Sequence, residues 1–262
     1  MRYQEVLAVS KGVVRQALVV LAVVAVVVVN ALANALPLNR QTTGEIADRF
    51  EVFFIPAGYV FSIWGLIYLG LITYAAYQAL PSQRDNSRLQ SIAYLFVLSS
   101  AANIAWIFLW HYEVFIWTLL AMGMLLGSLI AIYLRLGIGR TTVPSGEKWL
   151  VHVPFSIYLG WITVATISNA AVVLDFLNWD GFGISPEAWT VFALAAAGAI
   201  TSAVVLTRRD VAYVLVIIWG LIGIAVRNAG VPAVATVALI VAALVTLVTV
   251  LSVLRERGMR SG

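Results

Sequence analysis

An all-α integral membrane protein with eight transmembrane helices is the architecture expected of this sequence. Its apolar load, the spacing of its apolar stretches and the placement of its basic residues all point there. Of 262 residues, 62% are hydrophobic and 11% charged, with a mean hydropathy of +0.98, whereas a soluble domain carries roughly 25% charged residues. The 16 Lys and Arg and 12 Asp and Glu cannot cover a core of this size with a polar shell, so lipid is the outer solvent. The absence of cysteine excludes disulfides, thiol catalysis, zinc–thiolate sites and iron–sulfur clusters. The net charge of +4 comes from basic residues scattered singly and in pairs, which is no nucleic-acid footprint.

Crossing roughly 30 Å of hydrocarbon takes about 20 largely apolar residues. The first such stretch runs from Val13 to Leu36 and stops at Pro37. The second, Ala57 to Leu80, is closed by Pro81; the third and fourth are Leu89 to Trp110 and Val114 to Leu134. A polar run from Gly137 to Gly146, with Pro144, precedes the fifth, Trp149 to Leu174. The run Asn178 to Pro186 leads into the sixth, Glu187 to Leu206, where Ser185, Pro186 and Glu187 read as N-cap, first-turn proline and first-turn acid. Arg208, Arg209 and Asp210 separate it from the seventh, Val211 to Val226, and Gly230 with Pro232 mark off the eighth, Ala233 to Leu254.

Charge tests this division, because cytoplasmic loops gather Lys and Arg. With the N-terminus inside, the inner segments hold 13 basic residues (Arg2, Lys11, Arg15, Arg84, Arg88, Arg135, Arg140, Lys148, Arg208, Arg209, Arg255, Arg257, Arg260) and the outer ones 3 (Arg40, Arg49, Arg227). Both termini are therefore expected in the cytoplasm, with the chain in the cell's inner or plasma membrane. The basic N-terminus, the apolar run to Val29 and the pattern Ala33, Asn34, Ala35 also fit a cleaved signal peptide; the part this helix takes in the bundle weighs against cleavage. The string Ile63 to Ile67 recurs as Ile218 to Ile222, a coincidence two apolar helices readily share.

No Asp, Glu, Lys or Arg sits near the middle of a span, which speaks against ion pumps, proton-coupled carriers and voltage sensors. No nucleophile elbow, no His and acid paired on a helix face and no phosphate loop is read from the sequence, so the chain reads as a non-enzyme. His111 and His152 fall at span ends and read as interfacial polar side chains. Of the nine tryptophans, Trp110, Trp117, Trp149, Trp179 and Trp189 lie at span ends and read as a headgroup belt, while Trp64, Trp106, Trp161 and Trp219 lie deeper. Asn103 stands three residues before Trp106, and Asn169 eight after Trp161. An amide in hydrocarbon is costly without a hydrogen bond, so both should face the bundle interior. There they either bridge helices or, with the Trp faces, line a cavity for a flat, hydrophobic, partly polar molecule.

Three motifs carry a resemblance: Phe54-Ile-Pro56-Ala-Gly-Tyr-Val-Phe61-Ser-Ile-Trp64-Gly-Leu-Ile-Tyr68, Asn103-Ile-Ala-Trp106, and Trp161 followed by Asn169. In this order and on these helices they resemble the tryptophan-rich sensory proteins, also called TspO/MBR or translocator proteins. The likeness covers roughly residues 12 to 178. It departs from the family pattern at a single Pro56 in place of paired prolines, at a Phe61 to Trp64 gap one residue short, and at Pro154, about three residues early. It implies a five-helix domain over residues 1–178, with residues 179–262 as a three-helix extension that five-helix members lack. It also implies a pocket closed by the loop Pro37 to Ile55, binding protoporphyrin, haem or, in some members, sterols and synthetic aromatics. Carried over by motif position, Pro56, Phe61, Trp64, Tyr68, Asn103, Trp106, Trp161 and Asn169 would line or support that pocket.

The function so implied is a membrane receptor or sensor of tetrapyrroles that moves or protects them, with porphyrin or haem as ligand and no obligatory cofactor. An alternating-access carrier of a neutral apolar solute, suggested by the extension, and light-dependent porphyrin degradation are the alternatives. Partners are the bilayer, the small hydrophobic ligand and a second copy of the chain, since Gly123, Gly127 and Ala131 form a small-residue stripe suited to a homodimer seam or to packing inside the bundle.

Overall fold

The computed structural model describes residues 2–36 and 38–261, with side chains for 11–36 and 38–255. Pro37, read above as the end of the first span, lies outside the described residues. The described residues are helical throughout, joined by turns and short loops, with no strand. Eight long helices follow one another among the described residues: α1 Arg2–Ala35, α2 Ile63–Ala79, α3 Ser87–His111, α4 Phe115–Arg135, α5 Val153–Phe176, α6 Pro186–Arg208, α7 Val211–Arg227 and α8 Pro232–Ser261. Among the described residues, seven spans are long and apolar enough to cross a membrane; α7, with 17 residues, is the short one. At 1.5 Å per residue α7 is about 25 Å long, near the lower limit for a crossing.

Local chemistry sets the boundaries. Ser185 caps α6 by accepting from the Ala188 N–H, with Pro186 in the first turn as the sequence predicts. Asn86 caps α3 and Asp210 caps α7 in the same manner. The second span differs from expectation at its start, where residues 58–62 form a 3-10 turn before the α-helix. The fifth span opens with a short helix, Ser145–Glu147, and a π turn, Lys148–His152. Pro154 has no N–H to offer one turn back, and the widened turn accommodates the missing bond.

The chain divides into two compact units, Met1–Thr43 with Gly65–Phe155, and Gly44–Trp64 with Ser156–Gly262. In the first, α3 packs on α1 and α4. Val19, Val23 and Val26 form the buried stripe of α1 at helical spacing. Tyr74, Phe96 and Phe155 pack edge to face, with centroids 4.9 to 5.9 Å apart. Gly70 allows Pro154 to come close, since a Cβ there would lie 3.0 Å from the Pro154 ring. Gln16 and Gln78 exchange amide-to-carbonyl bonds of 2.6 and 3.1 Å, and Arg88 grips buried Glu147 with two bonds of 2.5 and 2.7 Å.

In the second unit, α8 packs on α6 and α7. Glycines again set the approach: a Cβ at Gly160 would lie 3.0 Å from the Tyr213 carbonyl oxygen, and one at Gly220 would lie 3.2 Å from Val164. The Tyr213 hydroxyl donates to Thr163 at 3.2 Å, so α5 and α7 are tied by packing and by a polar link.

Candidate functional site

Five of the eight residues singled out from the sequence fall in the second unit. Phe61, at the end of the 3-10 turn, meets Trp161 of α5 edge on at 5.6 Å, and Trp64 in the first turn of α2 meets the same indole at 6.3 Å. Trp64 also contacts Tyr158 at 6.1 Å. Trp161 is only 2% exposed and its Nε1 has no hydrogen-bond partner among the described residues. A buried donor without an acceptor is uncommon and costs about 1 to 3 kcal/mol. Asn169, two turns further along α5, is buried to 3% exposure, as expected of an intramembrane amide. Pro56 is buried as well.

The main chain carrying Pro56 and Phe61 is held by side chains the sequence did not single out for this role. Ser168 Oγ donates to the Phe54 carbonyl at 2.8 Å. Asn228 Nδ2 donates to the Phe53 carbonyl at 2.8 Å, and the Trp219 indole donates to the Val60 carbonyl at 3.2 Å while its ring meets Tyr59 edge on. The Ala57 N–H donates to the Gly223 carbonyl at 3.0 Å. A Pro-bearing segment outside the α-helices leaves main-chain groups open, and these contacts satisfy four of them. Trp219 was legible as a deep tryptophan; Asn228, at the C-cap of α7, carried no distinguishing signal.

The other three residues, Tyr68, Asn103 and Trp106, fall in the first unit. Asn103, at 1% exposure, accepts through Oδ1 from Asn30 Nδ2 at 2.7 Å, so its amide reaches another helix. Asn30 was readable as an amide set deep in an apolar run. Trp106 stacks on Trp110 with centroids 5.1 Å apart, and Tyr68 is half-buried.

Trp110 departs from the belt expectation: it is 3% exposed, and its indole donates to the Thr43 carbonyl at 3.2 Å. His111 is fully buried too, its ring within 3.1 Å of the Leu38 carbonyl and 3.0 Å of Thr43 Oγ1, while its own carbonyl accepts from Asn39. The segment 38–43 folds over the end of α3 and covers both side chains. His152 is buried also, 3.9 Å from Glu147. Trp117 and Trp149, at 59% and 64% exposure, suit the belt. Among the described residues no cluster of His, Asp and Glu is placed to hold a metal ion.

Helices of this length and hydropathy, with amides and aromatic edges turned inward and apolar side chains outward, define a multi-pass integral membrane protein. The chain belongs to the family described as TSPO-like protein, whose match covers residues 16–251. The match runs through the C-terminal helices, which the likeness to five-helix members leaves out. No curated protein and no solved structure matches the chain.

Proposed function

We propose that the protein is a membrane receptor or sensor that binds a tetrapyrrole, such as protoporphyrin or haem, or a similar flat hydrophobic molecule, and moves or protects it without chemistry of its own. The observation that carries this reading is the buried Trp161 N–H, without an acceptor and flanked by Phe61 and Trp64. A ligand that presents ring surface to aromatic edges and an oxygen or nitrogen acceptor to the indole would complete that site. The family match through residue 251 supports this reading over the alternative of an alternating-access carrier, which the three-helix extension suggests. The basic-residue count of 13 against 3 supports cytoplasmic termini in an inner or plasma membrane. A homodimer is proposed through α4, where Gly123 and Gly127 are exposed and a Cβ would meet nothing within 4 Å.

Titrating the purified protein with protoporphyrin while following tryptophan fluorescence tests the binding reading. Saturable quenching at micromolar ligand, altered by Phe at Trp64, Trp106 or Trp161, is expected. Absence of saturation, or quenching unchanged from the wild type in each of the three variants, would refute it.

A further inference from the structure

The contacts of α7 with residues 48–60 form an ordered series. Trp219 bonds Val60, Gly223 bonds Ala57, Asn228 bonds Phe53, and Arg227 pairs with Asp48 at 2.5 Å. Positions 219, 223 and 227 recur at four-residue steps along one side of the helix and Asn228 follows at its C-cap, while the main-chain partners of 219, 223 and 228, at residues 60, 57 and 53, run in the reverse direction. The segment therefore lies antiparallel along α7 and is held mainly by its own backbone groups. Gly223 makes the approach possible. A Cβ there would come within 2.2 Å of Val60 Cγ2 and 3.1 Å of Pro56 Cβ, so no residue larger than glycine fits without displacing the segment.

That segment leads directly into Phe61 and Trp64, the two rings set against Trp161. We propose that α7 is the positioning element of the aromatic site, with Trp219, Gly223 and Asn228 as positioning residues that fix where Phe61 and Trp64 stand. On this inference α7, though it lies in the C-terminal part of the chain, belongs to the binding apparatus. The Arg227–Asp48 pair, with Asp48 62% exposed, is the solvent-facing end of the clamp, where the segment releases first. The inference rests on the binding reading for its ligand arm only; the clamp is tested without ligand.

The decisive variants, in the full-length chain, are Gly223→Ala, Gly223→Ala with Val60→Ala, and Arg227→Gln. Hydrogen exchange of amides 53–60 and the near-ultraviolet circular dichroism of the tryptophans report on the clamp, and protoporphyrin quenching reports on the site. Gly223→Ala should speed exchange in 53–60 at least tenfold, change the aromatic dichroism and weaken quenching at least tenfold. Removing the Val60 methyls should recover most of each effect, which general misfolding would not allow. Arg227→Gln should speed exchange near residue 48 and leave 57–60 unchanged. Unchanged exchange in Gly223→Ala, or faster exchange with unchanged dichroism, overturns the inference. If the wild type itself does not quench, the binding reading fails, and the exchange and dichroism still decide whether α7 positions the rings. If it does quench, unaltered affinity in Gly223→Ala also overturns the inference.

Discussion

Replacing Asn30 and Asn103 by alanine should cost unequal amounts of stability, because the two amides are not equally provided for. Asn30 Nδ2 donates both to Asn103 Oδ1 at 2.7 Å and to the Val26 carbonyl of its own helix at 2.9 Å. Asn103→Ala leaves Asn30 that second partner, so the loss is one intramembrane hydrogen bond, about 0.6 to 2 kcal/mol. Asn30→Ala removes the same bond and also strands the Oδ1 of a residue 1% exposed. A stranded buried acceptor adds about 1 to 3 kcal/mol. The double variant has neither the bond nor the stranded oxygen, so adding Asn103→Ala to Asn30→Ala should restore stability. Equilibrium unfolding of the four proteins in mixed micelles, followed by far-ultraviolet circular dichroism, measures the cycle. The reasoning is refuted if Asn103→Ala is as costly as Asn30→Ala, or if the two losses add to within about 0.3 kcal/mol. A tenfold loss of protoporphyrin affinity in Asn103→Ala would reveal a ligand contact in addition to the bridge.

Arg88→Ala leaves the Glu147 carboxylate, 1% exposed, with Asn86 at 3.3 Å but without its bidentate partner. Because the Arg88 side chain is 36% exposed, the loss should fall at the lower end for a broken buried pair, about 3 kcal/mol, and a second change, Glu147→Gln, should recover part of it in the same unfolding assay. Trp161→Phe keeps a ring against Phe61 and Trp64 and removes an N–H that has no acceptor, so melting of the ligand-free protein should move by no more than about 1 kcal/mol while protoporphyrin binding weakens. Gly160→Ala places a methyl 3.0 Å from the Tyr213 carbonyl oxygen, a main-chain atom that cannot rotate away, and should cost about 1 to 3 kcal/mol by thermal unfolding.

The helices and their order follow from the chain's own chemistry. Apolar runs of membrane length, closed by prolines, glycines and charges, have little choice in lipid but to be helices, because every backbone group must be satisfied within the segment. Ser185, Pro186 and Glu187 marked the start of α6 for the same local reason. The inward placement of Asn103 and Asn169 was legible too, since a lone amide is costly in hydrocarbon. What the amides meet was not legible: Asn103 finds Asn30, 73 residues away, and nothing in either neighbourhood encodes the pairing. The aromatic motif around Phe61, Trp64 and Trp161 was visible as spacing, but its support by Ser168, Trp219, Gly223 and Asn228 was not. Those residues act on main-chain carbonyls and amides, which are the same at every position and leave no mark in the sequence. Likewise Trp110 and His111 lie at a helix end, where burial depends on the segment 38–43 folding over them. Local structure is decided by each segment's dealings with its solvent, which the sequence states. Partners across long separations are decided by which surfaces pack, and only the folded chain states those.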